Sequence, residues 1–186
     1  MKNAGLYFNL LGVGFLFLTA CAGKQVVPQG QGNLLFPDGR YSQDVEVEVT
    51  ATKPNQNFDF SCIVQKKPQE MLFYGYNSFG FSLFKIKEIQ GQPIEAESSI
   101  EQIKQHKDFF IKIFKLVKTI VSLSKDDPRR KGDEIQLDQD GISAHVTFSG
   151  YDKMGVPLNM VVETKGQYQV QIKTTSYKFT TETDRH

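Results

Sequence analysis

The side chains best suited to covalent or acid–base chemistry are two cysteines and three histidines, and their settings limit what they can do. His106 falls in a lysine-rich helical stretch, His145 on the polar face of a strand, and His186 at the C-terminus. None neighbours a cysteine or a Gly-x-Ser-x-Gly elbow, the local signature of an activated serine. A Ser–His hydrolase would have to assemble from separated segments, and the non-catalytic reading stands ahead of it. Asp138-Gln139-Asp140-Gly141 has the look of a calcium loop. Its frame would run from Gln136 to Thr147, where a carboxylate and a bidentate Glu are required. Asp140-Gly141 therefore reads as the turn before a strand. Zinc-type Cys/His sets, phosphate-cradling glycine loops and aromatic–basic platforms are missing from the sequence. The net formal charge of +1 gives no global attraction to nucleic acid. No metal and no diffusible cofactor is expected. Arg129-Arg130-Lys131 beside Asp126-Asp127 reads as a solvated loop.

The two thiols have different prospects. Cys62 lies in the alternating run Phe58-Asp59-Phe60-Ser61-Cys62-Ile63-Val64, on the face with Phe58, Phe60 and Val64. It reads as a small buried hydrophobe ahead of a reactive thiol. Cys21 closes a different segment. A positive stub, Met1-Lys2-Asn3, leads into an apolar run from Ala4 to Leu18, and small residues follow. That order fits an export signal, and the run is short for a membrane span. Leu18-Thr19-Ala20-Cys21 resembles the lipobox of bacterial lipoproteins. The resemblance implies removal of residues 1–20, a diacylglyceryl group on the Cys21 thiol and an N-acyl chain (palmitate or similar), with no other cofactor. Several acyl chains anchor a protein stably where one does not. Ala22 resembles the outer-membrane sorting pattern of a Gram-negative host, with the chain on the periplasmic side. Residues 21–33 then read as lipidated Cys and flexible tether, and 34–186 as a single domain.

Within that domain the apolar residues alternate with period two, as in strands with one buried face. The alternation covers Val45–Val49, Phe58–Gln65, Met71–Tyr76, Phe79–Lys87, Ile142–Phe148, Leu158–Val162 and Tyr168–Lys173, with Lys66-Lys67-Pro68-Gln69 as a turn. One stretch, Ser98–Lys125, has helical period instead, with Ser98 and Glu101 as a capping box and Pro128 beyond its end. Its broad apolar face and lysine-rich back suit a core helix, a lid over a greasy cavity, or contact with an anionic membrane. A meandering antiparallel sheet with a helical block on its apolar face makes the fold class α+β.

Several segments carry a family resemblance. Asn57–Gln65, a Pro-containing turn, Met71-Leu72-Phe73-Tyr74 and Asn77-Ser78-Phe79-Gly80 are similar to the central hairpin of LolB, the outer-membrane receptor that accepts lipoproteins from a periplasmic carrier. Ser149-Gly150-Tyr151-Asp152, Pro157-Leu158-Asn159-Met160 and Gln167 to Lys173 resemble its later strands. The chain departs from the pattern in having no Trp, in a helical block rich in Phe and Lys, and in Phe79 where that family has an exposed leucine. The resemblance implies an incomplete, half-open barrel: a curved antiparallel sheet with a helical plug on its concave face. It implies a cavity for acyl chains lined by Phe58, Phe60, Cys62, Val64, Phe73, Phe81, Leu83, Phe110, Phe114, Val146, Phe148, Met160 and Val170. It makes Phe79 the candidate for membrane insertion; the alternation with Phe81 and Leu83 leaves a core-strand role for Phe79 open. The implied partners are membrane lipid through Cys21, acyl chains or lipoproteins, and a LolA-like periplasmic carrier, for a monomer with no nucleic acid. The competing function is a structural or accessory lipoprotein that uses the fold for protein–protein contacts.

Overall fold

Among the described residues, ten antiparallel strands form one sheet that does not close on itself, and a helix packs against it. The computed structural model describes residues 26–49, 56–101, 104, 107–165 and 168–180. The Leu18–Cys21 segment, Ile103, His106 and His186 lie outside those residues. The strands are β1 (Gly39–Val49), β2 (Gln56–Lys67), β3 (Glu70–Tyr76), β4 (Ser82–Ile89), β5 (Glu95–Ser98), β6 (Arg130–Lys131), β7 (Glu134–Gln139), β8 (Ile142–Tyr151), β9 (Pro157–Thr164) and β10 (Tyr168–Phe179). Helix α1 spans Lys107–Val121. The strands lie in the order β5-β4-β3-β2-β1-β10-β9-β8-β7-β6, so the first and last strands pair in the middle. Edges are left at β5 and β6, and the helix joins them in sequence.

Cross-strand register turns the period-two pattern into continuous apolar rows. Phe60, Val45, Ile172, Met160 and Phe148 face one another across five strands. Phe58, Val47, Val170, Val162, Val146 and Ile135 form the next row. Such same-face neighbours are the unit of sheet stabilisation. The helix adds Phe114, Leu116, Ile120 and Val121 to this core, and the Phe114 ring meets Phe73 edge-on at 5.0 Å. Polar contacts also fasten its C-terminal half. Thr119 Oγ1 donates to Gln139 Oε1 at 2.6 Å, and the ammonium groups of Lys115 and Lys118 lie 3.2 Å and 2.6 Å from the carboxylates of Asp140 and Glu88.

Several sequence expectations shift. Ser98 ends β5 instead of capping a helix; its hydroxyl donates to Leu83 O and accepts the Ile100 N–H. The strand expected from Phe79 begins at Ser82, and Tyr76 pairs with Ser82 while Gly75 pairs with Phe84. Leu83 is the extra residue of a bulge, which changes strand parity. Phe84 and Ile86 therefore face inward, opposite Gly75 and Phe73. The short strands β5, β6 and β7 were not expected. Arg130 leaves the expected loop to enter β6, and its guanidinium lies over the Phe148 ring and donates to Lys125 O. Asp140-Gly141 does form the turn between β7 and β8, with φ of 51° and 82°.

Lys66 extends β2 and is buried, whereas the sequence placed it in the turn Lys66-Lys67-Pro68-Gln69. Its ammonium donates to Phe36 O at 2.8 Å and Val121 O at 3.2 Å, and lies 3.7 Å from Asp38 Oδ1. Asp38 also accepts from Gln31 Nε2, and Tyr41 Oη donates to Pro37 O. Leu35 N–H bonds to Leu123 O, and Lys125 N–H to Asn33 O. Residues 31–38, partly within the stretch expected as tether, are thus bound to the helix's C-terminal end.

Two predictions follow from this end of the molecule. Lys66→Met leaves Asp38 and two carbonyls without their cation and is expected to cost about 3 kcal/mol. Asp38→Leu in the same chain should recover part of that loss, as a double-mutant cycle on urea midpoints would measure. Burial, then Asp152, pushes Tyr177 up to about 12, and burial, then Asp133, does the same for Tyr151; burial raises Tyr41 further. A tyrosine with a raised folded pKa favours folding below its unfolded value near 10 and loses that contribution as pH climbs through the folded value. Burial lowers the Lys66 pKa despite Asp38, which works in the opposite direction. Three tyrosines against one lysine should make the urea midpoint fall from about pH 10 upward, less steeply in Tyr177→Phe.

Candidate functional site

Three exposed phenylalanines lie at the end of β2 and the β3–β4 corner remote from Lys66, while Tyr151, 39 % exposed, stands apart on β8. Phe79 is 83 % exposed, Phe81 70 % and Phe58 52 %. Strand register places them together: Ser61 pairs with Tyr76, so the β3–β4 corner continues alongside the Gln56–Phe60 end of β2. Val47, Phe60, Phe84, Phe110 and Val170 lie half-buried between this rim and the core. Phe84 packs edge-on against Phe60 at 5.5 Å. Gly75 makes room for it, since a Cβ there would meet the Phe84 ring at 2.3 Å.

The corner that carries Phe79 and Phe81 is held from within. Asn77 Oδ1 accepts the Phe79 and Phe81 N–H groups, each at 3.0 Å. Gly80 N–H bonds to Asn77 O at 2.9 Å, and Asn77 N–H to Phe81 O at 3.1 Å. Gly80 takes a φ of +82°, which a residue with a side chain rarely adopts. The corner is therefore a built turn, and Phe79 stands outside the core.

The proposed cavity residues divide into three sets. Cys62, Val64, Phe73, Phe114, Val146, Phe148 and Met160 are buried in the packed core. Phe60, Phe110 and Val170 are half-buried at the rim. Phe58 and Phe81 are exposed, and Leu83 sits at the bulge, off the inward row. The inner face is thus filled along most of its length. Two hollows, of about 480 and 500 Å³, have polar linings: one around Gln136, His145 and Glu163, the other around Glu88, Lys118 and Arg129.

His145 Nε2 lies 3.7 Å from Glu134 Oε2, and Ser143 Oγ accepts from Gln136 Nε2. Burial pushes the Cys62 thiol up to about 12, so it is no thiolate at neutral pH. Among the described residues no group of three or more His, Cys, Asp or Glu is placed to hold a metal. Sequence reasoning named Phe79 but missed the acceptor role of Asn77 and the Phe84–Gly75 pair. A glycine inside a strand was the available signal for the latter.

The exposed setting of Phe79 has a direct consequence. Phe79→Glu should change unfolding free energy by no more than about 0.5 kcal/mol, while Phe73→Glu, which buries a charge, should cost several kcal/mol. Thermal melting of the two variants separates them; a large drop for Phe79→Glu would place that ring in the core. Compared with protein-family models and with curated proteins, the chain matches none.

Proposed function

We propose that this is a lipid-anchored, non-catalytic protein that binds acyl chains of lipoproteins or of another amphiphile at the periplasmic face of an outer membrane. The observation that carries the reading is the phenylalanine rim: Phe58, Phe79 and Phe81 exposed at one end of the sheet, above a half-buried layer that includes Phe60 and Phe84. In this reading the sheet is a half-open barrel, the helix is its plug, and the rim is its mouth. Burying an acyl CH₂ yields about 0.8 kcal/mol, so a few methylenes laid along the rim give useful affinity. Because Phe73, Phe114 and Phe148 fill the interior, the chain lies along the mouth and does not run the length of the barrel. Handover needs no energy source when the rim holds acyl chains more tightly than a LolA-like carrier and less tightly than the bilayer. Lys107 and Lys112, exposed on the helix near this end, favour an anionic headgroup.

The filled interior favours a second reading, in which the same fold serves an accessory lipoprotein and the rim meets a protein. Native mass spectrometry of the chain expressed in bacteria without its Cys21 lipid decides between them. Co-purifying lipid, or uptake of added fatty-acid probes, supports acyl binding. A chain that stays empty with both overturns it. The anchor has its own test. Cys21→Ser should abolish labelling by an alkyne fatty acid and leave an unprocessed or soluble species; persistent labelling would remove the lipoprotein assignment.

A further inference from the structure

We infer that the outer face of strands β7 to β10 carries a binding site for an uncharged, extended oligosaccharide. The inference goes beyond the acyl-chain reading and does not depend on it. Val162, Val146 and Ile135 are buried on β9, β8 and β7, so their chain neighbours Glu163, His145 and Gln136 point to the opposite face. Register sets these three in one row with Gln169 of β10: Gln169 pairs with Glu163, Glu163 with His145, and His145 with Gln136. With Ser143 and Lys165 they line most of a hollow of about 480 Å³. Two hydrogen bonds orient its walls before any ligand arrives. Gln169 Nε2 donates to Glu163 Oε1 at 3.1 Å, and Gln136 Nε2 donates to Ser143 Oγ at 2.9 Å. The Gln169 and Gln136 amide oxygens then remain to accept, and the Ser143 hydroxyl and Lys165 ammonium to donate. Every lining side chain is polar, so an acyl chain finds no hydrocarbon wall and a protein partner finds no aromatic anchor. Glu163 and Lys165 oppose each other in charge, so a phosphate gains no net attraction. Hydroxyls, which both donate and accept, answer this mixed set. Adjacent strands lie about 4.8 Å apart, close to the length of one unit in an extended sugar chain. Successive units therefore meet Gln169, Glu163, His145 and Gln136 in turn, and the flat His145 ring receives the C–H face of one of them.

The test uses the lipidated full protein in nanodiscs, with cellotetraose as the probe and saturation-transfer NMR as the readout. Saturable transfer in the millimolar range is expected, since each exposed hydrogen bond adds little. Glucose reaches only part of the row at a time and should bind at least about tenfold more weakly. Glu163→Ala combined with Gln136→Ala should weaken cellotetraose roughly tenfold or more. The same pair should leave the urea midpoint unchanged, because both side chains are exposed. Phe79→Glu, at the separate rim, should leave the affinity for cellotetraose where it was, and inorganic phosphate should not compete. Absence of transfer, transfer undiminished in the double variant, or competition by phosphate each overturns the site. Equal affinity for glucose and cellotetraose overturns the extended chain as its ligand. Fatty-acid uptake is a separate measurement, so failure of the sugar site leaves the acyl-chain reading standing, and an empty rim leaves the sugar site standing.

Discussion

The buried ammonium of Lys66 joins three parts of the chain: the segment before β1, the end of β2, and the last turn of the helix. Removing a charge from water is costly, so this end holds together only because every member has a partner. The Val121 carbonyl is one of the acceptors a helix leaves free at its C-terminus, where a cation is also favoured by the helix dipole. Phe36, edge-on to Tyr41 and near Phe148, seals the apolar side of the same junction. With the helix's C-terminal end fixed here, its contacts with Phe73, Gln139 and Glu88 follow from its length and pitch.

Exposure differs between the two ends of β2. Lys66 and Val64 are buried, whereas Phe58 at its other end and Phe79 and Phe81 of the neighbouring corner are exposed. Apolar surface at that end is thus separate from the buried ion pair at the other. Residues of the rim add little to folding and are free to be chosen for what they touch. A protein that must expose hydrocarbon-like side chains without unfolding benefits from this separation, since local opening at the rim need not propagate to the fastened end.

The strands with several β-branched or aromatic residues were legible in the sequence, because one-sided burial writes period two directly. Short strands escaped for the same reason in reverse: Glu95–Ser98 holds a single apolar residue, Ala96, and β6 is only Arg130–Lys131. Parity reveals a face but not depth, which is why Phe58 shares a face with Cys62 and yet lies exposed. The bulge at Leu83 reverses parity within one strand, and nothing in the alternation of Phe79, Phe81 and Leu83 announces it. Lys66 was read as part of the turn through Pro68; a lysine is almost never fully buried unless paired, and its partners lie 28 to 55 positions away. Asn77 was visible as a corner residue. Its two accepted bonds are a matter of geometry that spacing alone does not encode.

The sealed end also bears on how an anchored chain would sit. Residues 31–38 are bound beside Lys66 and Leu123, and Val27 packs against the core, so the stretch from there back to Cys21 is six residues long. Fully extended, it reaches about 20 Å, whereas β2 alone separates Lys66 from Phe58 by roughly 26 Å. An upright domain would hold the phenylalanine corner far above the bilayer that carries its lipid. If Cys21 bears the lipid proposed for it, anchor and corner share one membrane only when the domain tips towards the membrane plane. The corner then approaches that surface obliquely, and a short rigid loop with two projecting rings suits such an approach better than a mouth that must be pressed flat. An upright domain instead turns the same rim outward, towards whatever delivers an acyl chain from the periplasm. Under the proposed function, the rim would receive a chain in the upright posture and release it in the tipped one.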